Sequence, residues 1–371
     1  MNERNVVGII VCNMHDELLS EITASRTLGS VPFGGRYRLI DFALSNMANS
    51  GIKDVGVVPS RNYQSLLDHV GSGQEWDMAR KNGGLSVLPP YGRQSGVYRG
   101  RMEALAGIQE YIKKSPAETV VLSDSDVVAN IDLAPVLKQH RGTGADITLI
   151  YKNTEVFPKR RDCTALFFGP DGRLADLSIG EELSGKQNIY LDIAIIKKPL
   201  LDRLIAESVS RDERSFVRFV LMGKCRVLNI RGYCFEGWSN KMAGLTNYLE
   251  ASLALLRPEV RASLFPADRP IYTRVRDEVS AKYGSEAEIS NSLVTDGCVI
   301  EGKVEDSVLF RGARVEKGAV VRGCVLMHNT VVGAGAVLEH VITDKNVVIS
   351  PGERLSGSER YPMYLPKGTK V

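Results

Sequence analysis

The 371-residue chain has no glycine in the turn that follows its first apolar run, Asn5 to Val11. That turn reads Cys12-Asn13-Met14-His15-Asp16-Glu17-Leu18. A loop that wraps a polyphosphate needs glycines, so that successive N–H groups can turn inward at the anion, and it usually adds a cation. Asp16 and Glu17 would repel that anion. Paired cysteines are missing too. Cys12, Cys163, Cys225, Cys234, Cys298 and Cys324 are scattered, with no CxxC pair and no histidine at metal spacing, so buried free thiols are expected. No basic block interleaved with aromatics occurs, and a net charge of +3 is too mild to imply nucleic acid. No apolar run reaches membrane-spanning length and the amino end lacks a small-residue cleavage site, so a cytoplasmic protein with no membrane partner is expected.

What is present is an ordinary globular composition, 43% hydrophobic and 25% charged, at a length that suits about two domains. Up to about residue 250, strand-like runs alternate with amphipathic segments, the signature of a mostly parallel sheet flanked by helices. Strands are expected at Val6 to Val11, Asp54 to Val58, Thr119 to Leu122, Asp146 to Tyr151 and Ile189 to Ile196. Helical spacing covers Asp41 to Asn49, Tyr63 to Val70, Met102 to Lys113, Leu133 to His140 and Asn240 to Leu256, with Gly51 and Gly71 as stops. After a linker punctuated by Pro258, Pro266 and Pro270 the texture changes. Val294, Ile300, Val304, Leu309, Val315, Val321, Leu326, Val332, Leu338, Ile342 and Val348 recur at steps close to six, with glycines between them. Such a hexapeptide ladder builds a parallel β-helix, in which stacked coils bury an aliphatic column. Domains are therefore expected at 1–250 and 289–371, joined by a linker at 251–288.

Three stretches carry a resemblance. Val31-Pro32-Phe33-Gly34-Gly35-Arg36-Tyr37-Arg38-Leu39-Ile40-Asp41-Phe42, with Leu44-Ser45-Asn46 and Asn49-Ser50-Gly51-Ile52 behind it, is similar to the FGGKFRIIDF…LSN…NSGI stretch of ADP-glucose pyrophosphorylases. Tyr98-Arg99-Gly100 matches a second motif. Asn291 to Val294, Gly297 to Ile300 and Ser307 to Phe310 match a third, NSLV…GCVI…SVLF. The chain thus resembles the glucose-1-phosphate adenylyltransferase family over nearly its whole length, and its GlgD-type subunits most. The resemblance implies a Rossmann-like nucleotidyltransferase domain followed by a left-handed parallel β-helix, assembled as tetramers. The family's reaction is attack of a sugar phosphate on the α-phosphate of ATP, with Mg²⁺ held by two aspartates.

Set against that chemistry, the site residues of this chain are altered in five places. The GGRGTRL loop is replaced by Asn13 to Leu19. RAKPA becomes Arg26-Thr27-Leu28-Gly29-Ser30, so a phosphate lysine becomes Leu28. The adenine-contacting glutamines fall near Tyr91 and Gly92, and Leu174 to Glu182 holds no lysine where FxEKP supplies one. Asp126 is the counterpart of the first metal aspartate, vestigial here because Lys241 stands at the second, and an ammonium cannot ligate a metal. An ion pair between Lys241 and Asp126 is the expected replacement. Asp124 is left without a role. Trp76 and Trp238 read as packing residues, and Lys159-Arg160-Arg161 as a solvated loop.

The resemblance implies a non-catalytic regulatory subunit of glycogen biosynthesis with no metal and no cofactor of its own, Mg²⁺ and ATP belonging to a catalytic partner subunit in a heterotetramer. Arg26 and Arg38 match positions where the family binds anionic effectors such as sugar phosphates or AMP; they can equally be solvated or structurally paired. Two other readings stay open. One is an active adenylyltransferase or other sugar-1-phosphate nucleotidyltransferase. The other is a hexapeptide-repeat acyltransferase with His328 or His340 as base, which would leave the amino-terminal half unexplained.

Overall fold

The computed structural model describes residues 5–12, 16–59, 61–81, 83–90, 98–156, 163–180 and 183–371. The chain divides into two compact units, and it passes between them more than once. One holds Met1–Met14, Phe42–Lys241 and Arg269–Tyr272; the other holds His15–Asp41, Met242–Asp268 and Thr273–Val371.

The first unit is built on β1 (Val6–Val11), six apolar residues buried on both faces, as a central parallel strand must be. It pairs in parallel with β2 (Asp54–Val58), which pairs with β3 (Gly84–Val87), and on its other side with β4 (Thr119–Asp124). Parallel neighbours need crossovers, and helices supply them. These are α1 (Leu39–Asn49), α2 (Gln64–Val70), α3 (Arg101–Gly107) and α4 (Gln109–Lys114). The expected single helix from Met102 to Lys113 is interrupted at Ile108, whose φ and ψ leave the helical region.

After β4 come the short β5 (Val127–Ala129), α5 (Leu133–Gly142) and β6 (Ile147–Val156), then β7 (Thr164–Phe168), β8 (Leu174–Ile179) and the long β9 (Gly185–Lys197). The sheet is mixed. β9 runs antiparallel to β4, β6 and β7, and β8 runs antiparallel to β7 through a turn too short for a crossover. α6 (Lys198–Ser210) follows, and β10 (Ile230–Cys234) returns parallel to β6. Val120, Leu122, Ala194, Ile196, Leu204 and Ile205 lie fully inside this core. The segment from Asn240 is not the start of a helix. Ser239–Lys241 forms β11, antiparallel to β5, with Lys241 opposite Val127. Gly244, at φ 155, then turns the chain into α7 (Leu245–Ala254) of the other unit. The pattern of apolar residues alone does not register that a glycine has separated a strand from a helix.

In the second unit, α7 is followed by α8 (Pro258–Leu264) and then by the hexapeptide ladder. Lys282–Tyr283, Val299–Ile300, Arg314–Val315, Val331–Val332 and Val348–Ile349 stack in parallel as one wall. Glu288–Ser290, Lys303–Glu305, Val320–Arg322, Val337–Glu339 and Arg354–Ser356 make the second, and the segments from Leu293–Val294 to Met363–Leu365 the third. Val315 stands opposite Val332 and Val332 opposite Ile349, a coil of seventeen residues. That register corrects two members of the expected column. Ile342 stands opposite Val325, so that Thr343 and not Ile342 continues Leu309 and Leu326. Ile349 is buried, while Val348, one step earlier, is over a third exposed. The coils lie so close that a Cβ at Gly302 would meet the Ala319 carbonyl at 2.5 Å. Of the six cysteines, four are buried as expected, but Cys225 and Cys234 are half-exposed. No described helix is long and apolar enough to cross a membrane.

Candidate functional site

In an α/β sheet, ligand chemistry collects where parallel strands end. β1 and β4 end side by side, with Val11 opposite Asp124. There, carboxylate oxygens of Asp124, Asp126 and Asp192 all lie within 4.8 Å of one another, and all three residues are buried. Asp192 reaches the group from a bulge in β9 between Tyr190 and Ile193, where it takes a left-handed φ of 55°. Aspartate tolerates that conformation better than most residues. Two cations are set among these acids. The Arg101 guanidinium, at the start of α3, donates to Asp124 at 2.5 Å and lies 3.5 Å from Asp192, with the Phe216 ring against it. The Lys241 ammonium, carried on β11, donates to Asp192.

Burial alone would push both cations toward neutrality, but the carboxylates win. Asp124, Asp192 and the nearby Tyr190 hold Arg101 well above its ordinary pKa, and Asp192 and Asp126 do the same for Lys241. Tyr190, wholly buried, is pushed upward chiefly by desolvation. Three carboxylates of this kind and spacing would suit a hard divalent cation. The residues present do not. An ammonium already occupies one carboxylate, and its repulsion of a divalent ion about 4 Å away is on the order of 8 kcal/mol at an effective dielectric near 20. The group is a closed charge cluster.

The second unit holds a contrasting site. Arg26 is buried and paired with Asp344 at 2.6 Å, and Asp344 also accepts from the Tyr364 hydroxyl at 3.1 Å. Arg38 is half-buried, and its backbone N–H donates to Asp41. Desolvation lowers its pKa to about 10 against the pull of Asp41, with Arg276, Arg26 and Arg274 contributing. Lys345 is depressed further, to about 7, by burial and by Arg38 and Arg26. His328 falls to about 3 for the same reasons, with Lys345 and Arg276 as its main cationic neighbours. So many cations within mutual reach form a positive field that attracts anions.

The structure thus brings Asp126 and Lys241 into one cluster, as expected, but Asp192 accepts from the ammonium. Asp192 and Arg101 were both missed. Asp192 lies mid-strand with no motif around it, and Arg101 is visible only as the residue that follows Tyr98-Arg99-Gly100. Arg26 and Arg38 do belong to one basic group, joined by Lys345. Asn13 to His15, Tyr91, Gly92, Lys159 to Arg161, Glu181 and Glu182 lie outside the described residues. His328 packs on Phe310, ring centroids 5.4 Å apart, and His340 sits at a left-handed corner. Trp76 is buried, as a packing residue should be, and Trp238 is half-buried.

Comparison with known proteins matches residues 17–161 to a nucleotidyl transferase family and residues 277–359 to a GlmU-like, C-terminal hexapeptide family. The glycogen biosynthesis protein GlgD of Bacillus subtilis (strain 168) is 33% identical over 99% of this chain and 97% of its own. That of Geobacillus stearothermophilus is 35% identical over 100% and 98%. A glucose-1-phosphate adenylyltransferase of Clostridium perfringens (strain SM101 / Type A) is 33% identical over 89% and 86%.

Proposed function

Because the chain belongs to the family of glycogen biosynthesis protein GlgD and glucose-1-phosphate adenylyltransferase, we propose that it is a non-catalytic, regulatory subunit that assembles with a catalytic homologue and adjusts its rate or effector response. The observation that carries this reading is the Lys241 ammonium seated on Asp192 beside Asp126, where the resemblance places a metal site. Nucleotidyl transfer gains most of its rate from positioned charge, and a cleft in which two of three carboxylate charges are already offset by the chain's own cations has little left to offer a metal–triphosphate. A fold outlasts its site because the aliphatic ladder and the turn residues specify it separately.

What remains useful is surface and allosteric leverage. Coupling requires a ligand or contact that distinguishes two states of the assembly. The basic group around Arg26, Arg38 and Lys345 supports an anionic effector such as a sugar phosphate or a nucleotide monophosphate. The first strands of the coil stack, Lys282–Tyr283 and Glu288–Ser290, each pair on one side only among the described residues, and such edges favour association.

The test is co-expression with a catalytic homologue, followed by size analysis and kinetics on the same samples. A hetero-oligomer with altered maximal rate or effector sensitivity is expected. If the mixture has the activity of its separate components added together, the reading fails.

A further inference from the structure

The corner of the β-helix that carries Lys345 continues down the coil stack. Gly312 N–H donates to the Asp296 carbonyl, Asn329 N–H to Arg311 and Asn346 N–H to His328. Asp296, Arg311, His328 and Lys345 therefore hold equivalent places on successive coils, about 4.8 Å apart. Arg311 is 4% exposed, yet its Nε and Nη2 have no hydrogen-bond partner. Its nearest carboxylate, on the half-exposed Asp296, stands 3.9 Å from Nε. Nε and Nη2 form the side-on edge of the guanidinium, two parallel donors that match two oxygens of one phosphate. The His328 Nδ1 next along the column is also buried without a partner. Arg36 and Arg276, both exposed, add positive charge at the rim, against Asp296 and Glu278. Buried charged donors left unmet lose the hydration they had in water without replacement, a cost that an incoming anion would relieve.

We propose that Arg311 is the floor of a second anion subsite, next to the group of Arg26 and Arg38 and sharing Arg276 with it, that takes a phosphate group bidentately with Arg276 and Arg36 closing over it. The subsite does not depend on the chain being a regulatory subunit. Its floor, Arg311, is not one of the matched effector positions.

The test is calorimetric titration of the full chain at low ionic strength with inorganic phosphate and, as a separate arm, with glycerol 3-phosphate. Wild type is compared with R311Q, R276Q and R38Q. Weakening of phosphate binding at least tenfold in R311Q and measurably in R276Q, with that binding retained in R38Q, is the expected result. A preference for glycerol 3-phosphate would assign the subsite to a phosphomonoester, and a preference for inorganic phosphate to the free ion. Arg276 is on the surface, so R276Q stays informative if R311Q fails to fold; unchanged affinity in R276Q overturns the proposal. Binding that disappears in R38Q and persists in R311Q also overturns it, while leaving the effector reading of Arg26 and Arg38 intact. No phosphate binding by wild type overturns it outright.

Discussion

Replacing Lys241 by methionine tests the charge cluster directly. The substitution keeps most of the side-chain volume and removes one of the two cations facing three buried carboxylates. The Lys241 and Asp192 side chains are 12% and 8% exposed, so solvent can do little to compensate. Breaking one partner from a buried pair typically costs about 3–5 kcal/mol. Arg101 remains 3.5 Å from Asp192 and holds part of the attraction, which places the expectation near the lower end, at about 3 kcal/mol. The loss depends on pH with a definite sign. Asp192 and Asp126 hold the Lys241 ammonium above its ordinary pKa, so the folded wild type keeps that proton longer than the unfolded chain does, and the stability it contributes is fully present below about 10.4 and is lost as pH rises beyond it. Urea denaturation of both proteins from pH 7 to 11 should show the full gap at pH 7 and a narrowing gap above about pH 10. The variant's cluster, now with two uncompensated carboxylates, should also be stabilised by Mn²⁺ where wild type is not. A gap below about 1 kcal/mol at pH 7, or two curves that run parallel across the range, would refute the assignment.

Three further outcomes are expected. K241D should not restore adenylyltransferase turnover with Mg²⁺, because the segment from Asn13 to Leu19 still lacks the glycines and arginines of a triphosphate cradle; robust ADP-glucose synthesis by that single variant would show the defect to lie elsewhere. His140, buried against Thr148 at 2.8 Å, has its pKa lowered to about 4 by desolvation and by Lys197 and Arg141. The unfolded chain binds that proton first, so stability should decline as pH falls from about 6.5 towards 4, and H140F should flatten this limb in acid denaturation. In the β-helix, I349A should cost about 2–5 kcal/mol and V348A well under 1, read as a difference in thermal midpoint; equal effects would mean that the coil register is wrong.

The elements that could be read along the chain are those in which a local period reports burial. Val6–Val11 is buried on both faces and shows as an unbroken apolar run, and the six-residue ladder shows because each wall of a coil is one short strand. Val348 was misassigned because aliphatics occupy both 348 and 349, and only the stacking of Val332 on Ile349 tells which one turns inward. The strand at Ser239–Lys241 does not show in the sequence, where helical spacing runs on from Asn240, because three residues are too few to show a period. Its pairing partner lies more than a hundred residues away. Of the charge cluster, Asp126 and Lys241 were legible through the resemblance, whereas Asp192 was not, since a single aspartate within a strand carries no local sign that its neighbours in space are Lys241 and Arg101.

Composition and pattern by themselves determined that this chain would fold as a sheet flanked by helices followed by a hexapeptide β-helix, and that a glycine-lined cradle would be lacking after the first strand. These follow from backbone conformation and hydrophobic period, which act over a few residues. Only the tertiary structure decided which charges meet. It placed Lys241 on Asp192 and Arg101 on Asp124, and it aligned Arg311, His328 and Lys345 along one corner of the coils. Electrostatic energy depends on separation in space and on the exclusion of water, and neither quantity is encoded by distance along the chain.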